Sequence, residues 1–190
     1  MNVLFFAFSC IFVQNIVLVQ YLGIDSFLDD SKKFKTPFCM GLIIIVVAVL
    51  SSCLAWGLQN FLLVPFSLEY LQLFVFVVVV AFVVFACEFC LKKWFPSLFS
   101  SSETFLKLTL SNCVILGLCL LSVQKNYTFI NSLYFSFFSS LGFLLSLLLM
   151  LGIRERIASA VIPKNLKGLP ITLISACIIA IAFYCFNGFI

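Results

Sequence analysis

Residues 36–68 read TPFCMGLIIIVVAVLSSCLAWGLQNFLLVPFSL, thirty-three positions without one charged side chain. A helix rising 1.5 Å per residue crosses a hydrocarbon core of about 30 Å in about 20 residues, so this stretch holds a complete span. It lacks the apolar–polar alternation of a barrel strand, and backbone at membrane depth must close its own hydrogen bonds. Outward from it, residues 1–24, 70–87, 108–124, 126–153 and 168–190 are also free of charge. The six gaps predict six helices, near Val3–Gly23, Phe38–Leu58, Tyr70–Cys90, Leu108–Val123, Phe129–Leu151 and Leu169–Phe189. The 190 residues therefore read as one all-α integral membrane domain.

Composition agrees. The chain is 64% hydrophobic and 9% charged, where a soluble domain averages about 25% charged residues. A soluble enzyme, a disordered tail and a nucleic-acid binder are excluded as classes, and the partner common to every span is the lipid bilayer. The chain has no His, which removes the commonest acid/base group and imidazole metal sites. Chemistry is left to thiols, carboxylates, amides and backbone.

The basic residues orient the spans. Lys32, Lys33, Lys35, Lys92, Lys93, Lys107, Arg154, Arg156, Lys164 and Lys167 share one side, and Lys125 stands alone on the other. Ten against one predicts that both termini face away from the cytoplasm. No Lys or Arg precedes residue 32, so the first span is expected to be retained rather than cleaved as a signal.

Three spans plus three gives the second half the opposite orientation to the first, as inverted repeats require. The division is repeat 1 at about 1–95 and repeat 2 at about 96–190. Gln14-Asn15-Ile16-Val17-Leu18 in the first span echoes Ser111-Asn112-Cys113-Val114-Ile115 in the fourth. The fourth gap, 17 residues with Ser-Asn near its start, has the form of a broken or half-length helix.

Nine cysteines lie almost wholly within the spans, where a thiol is by default a small hydrophobe. Their odd number and positions argue against a disulfide framework. Cys87-x-x-Cys90 has the spacing of a ligand pair but no second pair nearby, and reads as packing. Cys113 differs in its setting at the start of the short span. Gln14, Asn15 and Gln20 are the other deep polar groups, and amides at such depth ordinarily bond a neighbouring helix or broken backbone. Asp29 and Asp30 read as a solvated loop neutralised by Lys32, Lys33 and Lys35. Asp25 stands two residues past Gly23, at the end of the apolar run. No nucleotide loop or nucleophile motif is present.

Several segments resemble the RnfA/NqrE family, membrane subunits of the Rnf electron-transport complex and the Na⁺-translocating NADH:quinone oxidoreductase. They are Val13-Gln14-Asn15-Ile16-Val17-Leu18-Val19 with Leu22-Gly23, Ser31-Lys32-Lys33, Ser111-Asn112-Cys113-Val114-Ile115-Leu116-Gly117, Gly152-Ile153-Arg154-Glu155-Arg156, and Pro163…Gly168 with Ile171-Thr172. The likeness runs nearly end to end. It implies two inverted three-helix repeats with the first and fourth helices broken near the midplane. It also implies a homologous partner of opposite topology (RnfE or NqrD), a bacterial inner-membrane location, and a [2Fe–2S] cluster to which each partner gives two cysteines. Four thiolates are ordinary ligation for such a cluster. A charge moved halfway across the membrane changes energy by about 1.2 kcal/mol per 100 mV, half the full-crossing value, so electron transfer there feels the membrane potential.

Within that resemblance Cys113 matches the second ligand cysteine. The first ligand follows Leu-Gly-x, and here that position is Asp25. Glu103 and Lys107 replace the Gly and Pro that precede the Asn-Cys motif. Three accounts stay open: Asp25 ligates iron as a carboxylate, another thiol substitutes, or the subunit keeps the scaffold without the cluster. Without iron, Asp25 would belong to an ion path, since a buried carboxylate needs a cation or a raised pKa. Asn15 and Asn112 are the supporting polar residues. The expected function is a membrane subunit of an ion-translocating electron-transport complex, coupled to Na⁺ or H⁺ and not catalytic alone. The rivals are a small secondary transporter and a cluster-less structural subunit.

Overall fold

The structure, a computed structural model, describes residues 3–23, 35–94, 112–159, 163, 166 and 168–186. Six helices form among these residues, and no strand. Helix α1 comprises Val3–Phe8 and runs on through a wider π turn, Ser9–Val13. Helix α2 is Lys35–Leu58, extended by a second π turn, Gln59–Leu63. Helix α3 is Gln72–Trp94, α4 is Cys113–Gln124, α5 is Phe129–Ala158 and α6 is Leu169–Tyr184.

Three of these are long and apolar enough to cross a membrane: Gly41–Leu63, Gln72–Cys90 and Phe129–Ala158. The segments Val3–Val13, Cys113–Gln124 and Leu169–Tyr184 are shorter, rising about 16, 18 and 24 Å at 1.5 Å per residue. The first span, expected near Val3–Gly23 and broken, is helical only in its first part. The helix ends at Val13, and the chain continues to Gly23 as turns held by Val19 N–H to Asn15 O (3.0 Å) and Leu22 N–H to Ile16 O (3.1 Å). The fourth helix begins at Cys113, five residues later than Leu108, with Asn112 as its cap. Both breaks agree with the expectation of broken first and fourth helices. The repeat boundary near 95/96 lies outside the described residues.

Helices α2 and α5, the middle helix of each half, pack along one another at the centre. Helix α4 lies against α2 and α3, and α1 lies against α5 and α6. Exchanging α1 with α4, α2 with α5 and α3 with α6 turns each of those contacts into another of the set. That exchange is the packing signature of two three-helix repeats.

Small side chains permit the close central approach, as membrane helix contacts require. A Cβ at Gly41 of α2 would come within 2.3 Å of Leu144 Cδ1 on α5. Ser52 of α2, Ser122 of α4 and Ser132 of α5 meet through their hydroxyls, Ser52–Ser132 at 3.0 Å and Ser122–Ser132 at 2.6 Å. Around them Ile44, Val47, Val83, Val114, Ile115, Leu118, Phe143 and Met150 form one buried cluster. The outer helices turn their large side chains outward, Phe74, Phe82, Phe85 and Phe89 on α3 and Leu173, Ile178 and Ile181 on α6. So much exposed apolar surface suits lipid or a partner protein and does not suit water.

Candidate functional site

The first break is organised by Asn15, which is fully buried. Its amide nitrogen donates to Ile11 O and, across 127 residues, to Gly142 O on α5, both at 3.0 Å. Its Oδ1 accepts from Val17 N–H (3.1 Å), Leu18 N–H (3.2 Å) and Ser146 Oγ (3.1 Å). One amide thus closes the last turn of α1, starts the turns that follow, and pins both to α5. Gly142 eases this approach: a Cβ there would lie a tight 3.1 Å from Ile11 O and 3.3 Å from the Asn15 amide nitrogen. An unpartnered amide at this depth would cost free energy. Here the amide replaces the helical hydrogen bonds that the break removes.

The second break repeats the device. Asn112, also buried, accepts Val114 N–H at 3.0 Å and so caps α4. In both halves the asparagine oxygen takes the N–H two residues on, which gives the five-residue echo a structural meaning. The residue between differs. Ile16 is buried, whereas Cys113 is exposed.

The two breaks touch each other. Gly23 N–H donates to Cys113 Sγ at 3.1 Å. Gly23 has φ +82°, and a Cβ on it would meet Val114 Cγ2 at 2.4 Å and Phe143 Cε2 at 3.1 Å. A Cβ on Gly117 would meet Leu22 Cδ1 at 2.4 Å. Leu22-Gly23 therefore lies in a slot cut by small residues along the start of α4. This places Cys113 at the first residue of a helix, whose positive end favours negative charge, with a backbone amide aimed at its sulfur and an open outer side.

Of the expected site residues, the structure brings Asn112 and Cys113 together with Gly23 and puts Asn15 at the equivalent place in the other half. Asp25, Glu103 and Lys107 lie outside the described residues. Gln20 lies in the turns after α1 with its side chain on the surface of this chain. No group of three or more His, Cys, Asp or Glu side chains able to hold a metal occurs among the described residues. Cys87 and Cys90, half-buried and exposed, are both free. Among the described residues, Cys113 is the thiol that touches the turn ending at Gly23.

The contacts of Lys125 have no counterpart in the sequence reading, where it serves solely as a topology marker. Its Nζ donates to Gln14 Oε1, at the residue that ends α1, and lies 5.0 Å from the Phe135 ring centre and 5.8 Å from that of Tyr127. Burial pushes the Lys125 ammonium below the ordinary lysine range, and the nearby Cys10 thiol pushes the other way. Burial and Cys10 together raise Tyr127 above the usual phenol value. The available signal is that Lys125 stands alone between two charge-free stretches, 108–124 and 126–153.

An inverted-repeat membrane protein with a first helix broken at Gln14 and a fourth that starts at an asparagine cap is the class to which this geometry belongs. The chain is a member of the family described as "Rnf-Nqr subunit, membrane protein", which matches residues 3–190. It is similar to the A-type subunit of the Na(+)-translocating ferredoxin:NAD(+) oxidoreductase complex of Acetobacterium woodii, 39% identical over 188 residues, covering 99% of this chain and 98% of that one. The A-type subunit of the ion-translocating oxidoreductase complex of Syntrophotalea carbinolica is 39% identical over 189 residues, covering 100% and 98%. Its counterpart in Edwardsiella ictaluri is 38% identical over 180 residues, covering 95% and 93%.

Proposed function

We propose that this chain is the A-type membrane subunit of an Rnf-like ion-translocating oxidoreductase complex, and that it helps carry electrons through the bilayer to drive Na⁺ or H⁺ movement. The observation that carries this reading is similarity along the whole chain, at 39% identity, to relatives bearing that subunit's name. The transporter rival also fits six helices and two breaks, but it gives no reason for a thiol at the point where the breaks meet.

In this reading Cys113 supplies one thiolate to a [2Fe–2S] cluster shared with an RnfE/NqrD-like partner, and Asp25 is the second donor from this chain. When bound, the cluster supplies a one-electron relay inside the membrane. The chain's own contributions are positional. Asn112 fixes the start of α4 and hence the Cys113 backbone. Gly23 presents its N–H to the sulfur, and hydrogen bonds of this kind set the potential of sulfur-ligated iron. Asp25 follows Gly23 by two residues, a chain length of at most about 7 Å, which suits it to the same site. The complex then sits in the bacterial inner membrane with both termini of this chain outside, a reading supported by the ten-to-one distribution of basic residues.

The test is anaerobic purification of the tagged chain from its native membranes. The proposal expects a homologous membrane protein and cytoplasmic redox subunits to co-purify in fixed ratio. A chain that purifies alone and catalyses solute exchange in vesicles would replace this reading with the transporter.

A further inference from the structure

The segment Gly152-Ile153-Arg154-Glu155-Arg156 takes no part in the site at the two breaks. It closes α5, the longest helix of the bundle. That helix begins beside an aromatic group: the Trp56 indole donates to Tyr127 O at 3.1 Å and meets the Phe129 ring edge-on, 5.1 Å between centres. Such groups settle where hydrocarbon gives way to headgroups. From Phe129 the helix rises about 30 Å to Leu149 and about 10 Å more to Arg156. Leu149 thus reaches the far edge of the hydrocarbon, and Arg156 the headgroup layer beyond it. The charge pattern agrees, since residues 126–153 carry none and Arg154 is the first to follow.

Across that boundary a groove of about 630 Å³ runs along α5. Leu148, Gly152 and Arg156 form one row of its lining, and Leu149, Ile153 and Ile157 the next, the i, i+4 rows that groove a helix surface. Gly152 leaves a notch between Leu148 and Arg156, for a Cβ built on it meets nothing within 4 Å. The groove is apolar at its hydrocarbon end and carries an exposed arginine, Arg156, at its headgroup end. The sequence continues that sign: residues 153–168 hold Arg154, Arg156, Lys164 and Lys167 against Glu155 alone. We propose that this groove binds an anionic glycerophospholipid, with an acyl chain along Leu148, Leu149 and Ile153, the glycerol region over Gly152 and the phosphate on Arg156. Charge complementarity and depth decide the occupant. Arginine offers a fork of donors to a phosphate, and basic pockets at this level of a membrane select anionic headgroups. A soluble acidic protein would meet Arg156 but not the apolar end, which lies within the hydrocarbon. The inference does not depend on an iron–sulfur cluster or on the identity of the complex.

The test is photolabelling of the purified full chain in phosphatidylcholine bilayer discs, read by peptide mass spectrometry. The probes are phosphatidylglycerol and phosphatidylcholine, each with a diazirine in one acyl chain and each at low mole fraction. Label is expected on residues 148–157, about fivefold more from the phosphatidylglycerol probe. Unlabelled phosphatidylglycerol should displace it, and glycerol phosphate in the buffer should not. Arg156→Gln should bring the two probes close to equality. Lys93→Gln removes an exposed lysine from α3 and should leave the preference as in wild type. Gly152→Leu fills the notch and should lower labelling of the segment by both probes. Equal labelling of wild type by the two probes would overturn the proposal, as would displacement by glycerol phosphate. A preference that survives Arg156→Gln, or that falls equally with Lys93→Gln, would do the same. Loss of the label in the intact complex from native membranes would give the groove to a protein and overturn it too. If Gly152→Leu does not fold, Arg156→Gln and Lys93→Gln, both at exposed positions, decide alone.

Discussion

Asn15 and Asn112 perform the same local task at equivalent places in the two halves, yet their surroundings diverge. Asn15 makes five hydrogen bonds, two of them to Gly142 and Ser146 on the longest helix of the bundle. It is followed by Ile16, packed in the core. Asn112 caps α4 and is followed by Cys113, whose sulfur faces outward and accepts the Gly23 amide. The comparison teaches a division of labour: the first break is built to hold the bundle together, and the second to present a thiol. Both keep backbone polar groups satisfied where water is absent, the condition for a broken helix at membrane depth.

The comparison breaks most readily at Asn15. Asn15→Leu deletes all five hydrogen bonds, leaving the Gly142 carbonyl with the Ser146 hydroxyl, and should destabilise the protein by about 3 kcal/mol. A chemical-unfolding curve in detergent would measure this, and a loss under about 1 kcal/mol would mean that packing alone holds the first break. Next is the contact between the breaks. Gly23→Ala adds a Cβ into Val114 at a φ of +82°, for a cost of about 2 kcal/mol. Gly117→Ala should cost less, because the atom it meets is the flexible end of Leu22. Equal losses in the two unfolding curves would show that Leu22 is held as rigidly as the backbone. Asn112→Ala, which loses one cap, should lower stability by about 1 kcal/mol. A larger fall than that of Asn15→Leu would reverse the assignment of the two breaks.

Much of this is legible in the chain. Charge-free gaps locate the helices, and the shortness of the fourth gap foretells a half-length helix starting beside Asn112. The repeated Asn with its apolar followers marks both breaks. The partner of each amide is not readable, because Gly142 is 127 residues from Asn15 and nothing local announces it. The end of the first helix is hidden as well. Hydropathy is the same on both sides of Gln14, and only the side-chain competition of Asn15 for backbone N–H groups stops the helix there. The contact of Lys125 is hidden for a related reason. Position along an apolar run says how deep a residue's backbone lies, whereas the direction of a long side chain is set by what it meets, and Lys125 meets Gln14 Oε1. The serines of α5, at 132, 136, 139 and 146, recur at helical spacing. That stripe is a readable sign of the central helix contact.

The central claim is that Cys113 is the chemical residue of the site and has little structural role. Iron, acid-labile sulfide and reduced-state EPR, measured on the anaerobically purified membrane pair for wild type and Cys113→Ala together with their thermal midpoints, test it directly. The account predicts a [2Fe–2S] signal in wild type that disappears in Cys113→Ala while the pair still assembles, with a fall in midpoint no larger than that of wild type stripped of its iron. An iron-free wild-type pair, or a signal that survives the substitution, would contradict it.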